Sequence, residues 1–259
     1  MSTPAIPTVT LRPGIEIPLL GLGTWQADKG EAYEAVRTAL DLGYRHIDTA
    51  RAYGNEEEVG RAVVDSGIDR SEIFVTTKLP PDDADDAPRI IDESLAKLGL
   101  DHVDLWLVHW PPAPGDVLPA WEAFRAARDS GRVRAIGVSN YDLGLIDRLI
   151  DTFDEPPAVN QIPWSPLRHD PELLAAHRAR GVVLEGYSPL LGTDLTAPTL
   201  AAIADGHGVT PAQVVLRWHL QRGIVVIPKS ANPERIRSNL DLWSFELTDD
   251  ELGVIDGLS

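Results

Sequence analysis

The chain has 259 residues, 43% of them hydrophobic and none of them cysteine, with a formal net charge of −17. That apolar content suffices for a core, while the lack of cysteine excludes a disulfide framework, a zinc–thiolate site and a cysteine nucleophile. The acidity excludes nonspecific nucleic-acid binding, which needs a basic face.

The N-terminus has no basic segment followed by an apolar run, and no apolar run approaches membrane-spanning length, so a soluble cytoplasmic protein is expected. Residues 9–11 and 15–17 flank Arg12, Pro13 and Gly14 and predict a short hairpin. Residues 19–25 read as a buried strand ending at Trp25. In 31–42, Tyr33, Val36, Ala39 and Leu40 recur at helical spacing, and Gly43 stops that helix. A short apolar strand then ends at Asp48, and the chain turns through Tyr53, Gly54 and Asn55 into a helix over 56–64. Strand 73–77 leads to Lys78. The acidic run 82–86 reads as a solvated loop entering helix 90–98, whose positive end favours acids. Strand 103–108 leads to His109, and residues 110–115 form a proline-rich link. Helix 118–128 is stopped by Gly131, strand 133–138 ends at Ser139 and Asn140, and 143–150 is helix. Strand 157–161 ends at Gln161. Asp170 and Pro171 then supply an N-cap and an N1 proline for a helix that Gly181 ends. Strand 182–187 ends at Tyr187, and helices 200–207 and 211–221 follow. The last strand, 224–227, leads to Lys229 and Ser230. Asn232 caps the next helix, and 248–251 is a capping box for a terminal one.

Counted from Leu20, this is eight strands, each followed by helix, with no linker to divide them. Such strands pair in parallel and predict an α/β fold, a (β/α)8 TIM barrel with an N-terminal β-hairpin and extra helices near the C-terminus. Residues 1–259 read as one domain. An open nucleotide-binding sheet would need Gly-x-Gly-x-x-Gly after its first strand, and Gly21-Leu22-Gly23 lacks the third glycine.

In a barrel the carboxyl ends of the strands carry the site. Here they deliver Trp25, Asp48, Lys78, His109, Ser139 with Asn140, Gln161, Tyr187, and Lys229 with Ser230. Each alone is explained by packing or a solvated rim; their joint occurrence points to chemistry. A phenol holds its proton tightly at neutral pH, and a nearby ammonium stabilises the phenolate. Asp48 suits keeping Lys78 charged, and His109 suits positioning a substrate oxygen. The set fits proton donation to an oxygen becoming an alkoxide as hydride reaches a carbonyl carbon. None of the four supplies hydride, so a nicotinamide cofactor is expected. Ser139, Asn140 and Gln161 suit a carboxamide, and Tyr187 suits stacking on a ring. Lys229, Ser230 and Arg235 form a cationic cluster before a helix start that favours anions.

The stretch 43–50, Gly-Tyr-Arg-His-Ile-Asp-Thr-Ala, with Tyr53-Gly54-Asn55-Glu56, and Ile227-Pro228-Lys229-Ser230 with Arg235 and Asn239 beyond, resemble two motifs of the aldo-keto reductase superfamily. The resemblance covers almost the whole chain and is nearest the small microbial reductases of the 2,5-diketo-gluconate type. It implies Tyr53 as general acid, completed by Asp48, Lys78 and His109. It also implies Ser139, Asn140 and Gln161 on the nicotinamide amide, with Tyr187 on its ring. Ser188 and Leu190 would join the cofactor contacts, though Leu191 stands where relatives often carry glycine. Lys229, Ser230 and Arg235 would surround a 2′-phosphate, hence NADPH/NADP+, with Asn239 near adenine. Trp25, Trp110 and His109 would line a pocket for a small carbonyl substrate: an aldehyde, an α-dicarbonyl or a keto-sugar. The short segment after His109 and the end of the chain directly after the terminal helix imply an open pocket. A monomer acting without nucleic acid, membrane or metal is expected.

Two other readings compete. A metal-dependent barrel hydrolase needs clustered His and carboxylate ligands, whereas the seven histidines are scattered and only His109 sits at a predicted strand mouth. A non-catalytic barrel holding NADPH as a sensor has no need for Tyr53 and Lys78.

Overall fold

The computed structural model describes residues 6–27, 30–112 and 117–258. Strands β1 (Thr8–Arg12) and β2 (Ile15–Pro18) form the expected antiparallel hairpin. The eight parallel strands are β3 (Leu22–Gly23), β4 (His46–Asp48), β5 (Phe74–Leu79), β6 (Val103–Val108), β7 (Val133–Ser139), β8 (Val159–Pro163), β9 (Val183–Tyr187) and β10 (Val225–Val226). Each pairs with the next in chain order. Parallel bridges Leu20↔Val226 and Gly23↔Lys229 join the last strand to the first, so the sheet closes as the barrel the sequence predicts.

Helices α1 (Glu31–Leu42), α2 (Glu56–Asp65), α3 (Ala87–Leu98), α4 (Leu118–Asp129), α5 (Leu143–Phe153) and α6 (Pro171–Ala179) separate β3 through β9. Helices α7 (Pro198–His207) and α8 (Pro211–Gln221) precede β10, and α9 (Pro233–Leu240) and α10 (Asp249–Asp256) follow it. Their ends are written in side chains. Asp142, Asp170 and Asn232 accept backbone N–H bonds at the starts of α5, α6 and α9. Thr210 with Gln213 and Thr248 with Glu251 close two capping boxes.

Two expectations shift. The strand foreseen over 19–25 shrinks to Leu22–Gly23 plus the bridge at Leu20, because β4 and β10 reach it only there; Trp25 lies in the turn beyond, 53% exposed. The acidic run is not a loop but a 3₁₀ turn, Pro81–Asp86, and α3 starts directly after it at Ala87.

Strand alternation divides the core. Ile47, Val75, Trp106, Val108, Ile136 and Val138 pack against the helices. Phe74, Leu105, Leu107, Ala135, Val159 and Val225 pack together with Leu11 and Ile17 of the hairpin. Leucines, valines and one phenylalanine therefore fill the lower barrel, and the hairpin plugs its floor. The upper barrel is polar, and that is where the site lies.

Candidate active site

The loop after β4 is fixed before it reaches Tyr53. Asn55 does not cap α2 with its side chain; it is buried, accepts from Thr49 Oγ1 at 2.8 Å and donates to the Thr24 carbonyl at 2.9 Å. Next to it, Glu56 is buried and accepts from Thr77 Oγ1 at 2.7 Å. Between these anchors and β4, the turn Arg51–Tyr53 is 3₁₀ and aims the phenol inward.

Lys78 is fully buried inside β5, one residue before the strand ends. Its ammonium donates to Asp48 Oδ1 at 2.6 Å, to the Thr49 carbonyl at 2.9 Å and to the Tyr53 hydroxyl at 3.3 Å. Burial pulls Lys78 down, but Asp48 and then Tyr53 more than offset it, and the lysine's pKa is raised. It stays an ammonium throughout the neutral range. Burial pushes the Tyr53 phenol above its ordinary value, Lys78 pulls it down and Asp48 pushes it up again. The expected pull of the lysine is present, but burial outweighs it and the net direction is upward. The His109 ring meets the Tyr53 ring edge-on at 5.7 Å. Burial, with Lys78 second, depresses His109 to about 4, so it is neutral at pH 7.

These groups open into one cavity of about 350 Å³. Asp48, Tyr53, His109, Ser139, Asn140, Gln161, Tyr187, Ser188 and Lys229 line it, and Trp25 and Trp110, both about half exposed, form its outer walls with Ala52. Ser139 donates to the Gln161 carbonyl at 2.8 Å, and Tyr187 donates to Asn140 Oδ1 at 2.9 Å. Asn140 and Ser188 both adopt left-handed backbone, φ 62° and 52°, at the mouth. Such geometry is uncommon outside glycine and concentrates at ligand sites.

Five predicted residues do not line this cavity: Lys78, buried beneath it and reaching it only through Tyr53, and four of the predicted cofactor contacts. Leu190 packs its side chain against the apolar core. Ser230 is buried in the turn before α9, where its Oγ accepts from the Asn232 N–H at 3.1 Å. Asn239 is buried in α9, and Arg235 is exposed one turn before it. The proline-rich link falls partly on 113–116, outside the described residues.

One group escaped the sequence reading. Glu185 is fully buried, and its Oε2 accepts from Gln161 Nε2 at 3.0 Å, while the same amide reaches Asp48 Oδ2 at 2.9 Å. Strand alternation was the available signal. Glu185 stands two residues before Tyr187, as His46 does before Asp48, and so shares the inward face.

The residues fit a dinucleotide. The cleft offers amide and hydroxyl groups deep within and a flat phenol at its side. Lys229 at its edge and Arg235 beyond carry cations that no carboxylate among the described residues pairs. Bound there, a reduced nicotinamide would supply hydride. Among the described residues, no three His, Cys, Asp or Glu side chains come together in a metal-holding group.

A family model described as "Aldo/keto reductase family" matches residues 19–259. A morphine 6-dehydrogenase of Pseudomonas putida is 44% identical over 97% of this chain and 91% of its own. A solved aldo/keto reductase of Brucella melitensis superposes with a TM-score of 0.95 at 44% identity, covering 98% of each chain. An aldo-keto reductase of Bombyx mori, solved in complex with NADP, gives a TM-score of 0.91 at 35% identity over 98% of this chain and 93% of its own.

Proposed function

The chain belongs to the aldo/keto reductase family, and we propose that it reduces small aldehydes and ketones to alcohols with NADPH, Tyr53 serving as general acid. The observation that carries this reading is the buried line Asp48–Lys78–Tyr53, at 2.6 and 3.3 Å, opening beside neutral His109 into an aromatic-walled cavity.

In this reading His109, uncharged at pH 7, hydrogen-bonds the carbonyl oxygen and orients it toward the Tyr53 hydroxyl. As the oxygen gains charge, the phenol delivers its proton. Lys78, held as a cation by Asp48, stabilises the phenolate left behind. In the reverse direction the Tyr53 phenolate takes the alcohol proton. Trp25 and Trp110 shape the apolar entrance, which suits an uncharged substrate. Lys229 and Arg235 meet the phosphates, and the preference for NADPH over NADH is assigned to them.

Loss of reduced-nicotinamide absorbance across a panel of aldehydes, dicarbonyls and keto-sugars tests this reading, with wild type and Tyr53→Phe run together. Turnover should fall by roughly 10²–10⁴-fold in the variant, with NADPH affinity close to wild type. Strong residual reduction would show that another group donates the proton.

A further inference from the structure

Beneath the cavity the barrel encloses two carboxylates and one ammonium. Asp48 uses both oxygens, Oδ1 on Lys78 and Oδ2 on Gln161. Lys78 spends its donors on Asp48, Thr49 and Tyr53. Glu185 is left without a cation of its own. Its Oε2 has the Gln161 amide, but its Oε1 is buried with no hydrogen-bond partner, 3.6 Å from His46 Nε2. His46 is itself fully buried and held near 3 by that burial, so it is neutral. Its ring reaches the barrel axis because residue 21 is glycine; a Cβ there would lie 2.5 Å from Nδ1. On the neighbouring strand β10, Val225 pairs with Glu185, and β5 adds Thr76 near His46. Lys78 attracts an ionised Glu185 but makes no hydrogen bond to it, and burial with the Asp48 charge outweighs that attraction, so the proton is retained.

Resting on the reductase reading above, we propose that Glu185 is a positioning residue. It carries a proton at neutral pH. On losing that proton, it becomes a second negative charge below Asp48 that opposes the Tyr53 phenolate and limits alcohol oxidation at alkaline pH. The burial, reinforced by Asp48, pushes Glu185 up to about 8, and its charge pushes Tyr53 upward. Glu185 therefore ionises before Tyr53 and obstructs it. The Gln161 amide bridging both carboxylates transmits the change to Asp48 as well.

Glu185→Gln keeps a partner for Gln161 and removes the charge. The test is kcat/KM for alcohol oxidation with NADP+ at a series of pH values, for wild type, Glu185→Gln and Tyr53→Phe. The ratio of Glu185→Gln to wild type should climb about tenfold between about pH 7 and about pH 10, as the wild-type curve flattens and the variant's keeps rising. A ratio independent of pH, whatever its level, overturns the proposal and leaves Glu185 a packing residue. Substantial oxidation by Tyr53→Phe would instead overturn the reductase reading beneath it. Infrared spectra of wild type labelled with [13C]glutamate need no variant that folds. A protonated glutamic-acid carbonyl band should be present near pH 7 and gone near pH 10. Its absence at pH 7 overturns the proposal even if Glu185→Gln fails to fold.

Discussion

Lys229 ends the peptide that follows β10, exposed at the edge of the cavity in a chain whose net charge is −17. A cation that no carboxylate among the described residues pairs, in so acidic a molecule, has an anion as its natural ligand, and a compact ammonium suits phosphate. Lys229→Ala should weaken NADPH at least tenfold, a charge-assisted contact costing about 1.5–3 kcal/mol, and leave NADH nearly unchanged. Fluorescence titration with both cofactors measures this, and an equal loss for both would refute contact with the 2′-phosphate. At this scale residue types carried the reading: a carboxylate at the end of β4, a phenol on the turn after it, an ammonium near the end of β5 and an imidazole just after β6 come together in one cluster. Partner choice was hidden. Gln161 was expected to serve a ligand amide, yet its NH₂ is occupied by Asp48 and Glu185. Glu185 itself passed as one charge in an apolar strand, because sequence alone does not say which strand faces it across the barrel.

Helix α2 shows what the elements contribute. It follows the Tyr53 turn directly and packs so closely on α3 that a Cβ on Gly60 would fall 1.9 Å from the Leu98 carbonyl oxygen. Backbone leaves no room to yield, so Gly60→Ala should destabilise by about 1–3 kcal/mol or more. Thermal unfolding would show this as a drop of several degrees, and an unchanged midpoint would mean that the helices separate without cost. Helix ends were the most legible elements: Gly43, Asp170 and Thr248 act where their chemistry predicts. Strand lengths were the least legible. Strands β3 and β10 are two residues each, although apolar sequence runs on beside both. A strand lasts only as long as its neighbours pair with it, and a run of hydrophobic residues does not record that.

The whole molecule balances buried groups that titrate in opposite senses. Burial holds His46 down at about 3 and His109 and His219 at about 4. The unfolded chain takes up those protons near the ordinary histidine value of about 6.5, so stability falls as pH drops from there. Glu185, raised to about 8, keeps in the fold a proton that the unfolded chain releases near about 4.3. It therefore lowers stability as pH rises toward 8. Three histidines outweigh one glutamate on the acid side, which places the expected maximum at about pH 6.5. Glu185→Gln should flatten the decline between about pH 6.5 and about pH 8; parallel slopes in thermal unfolding would remove Glu185 as its cause. The barrel's closing seam acts on another axis. Gly23 and Lys229 are bridged there and both line the cavity, yet Gly23 leaves the ribosome long before Lys229. A nascent chain presents Tyr53, Lys78 and His109 long before their barrel has a last wall. Under the proposed function, a chain stalled before Lys229 would hold the proton-transfer groups without the cation assigned to the cofactor.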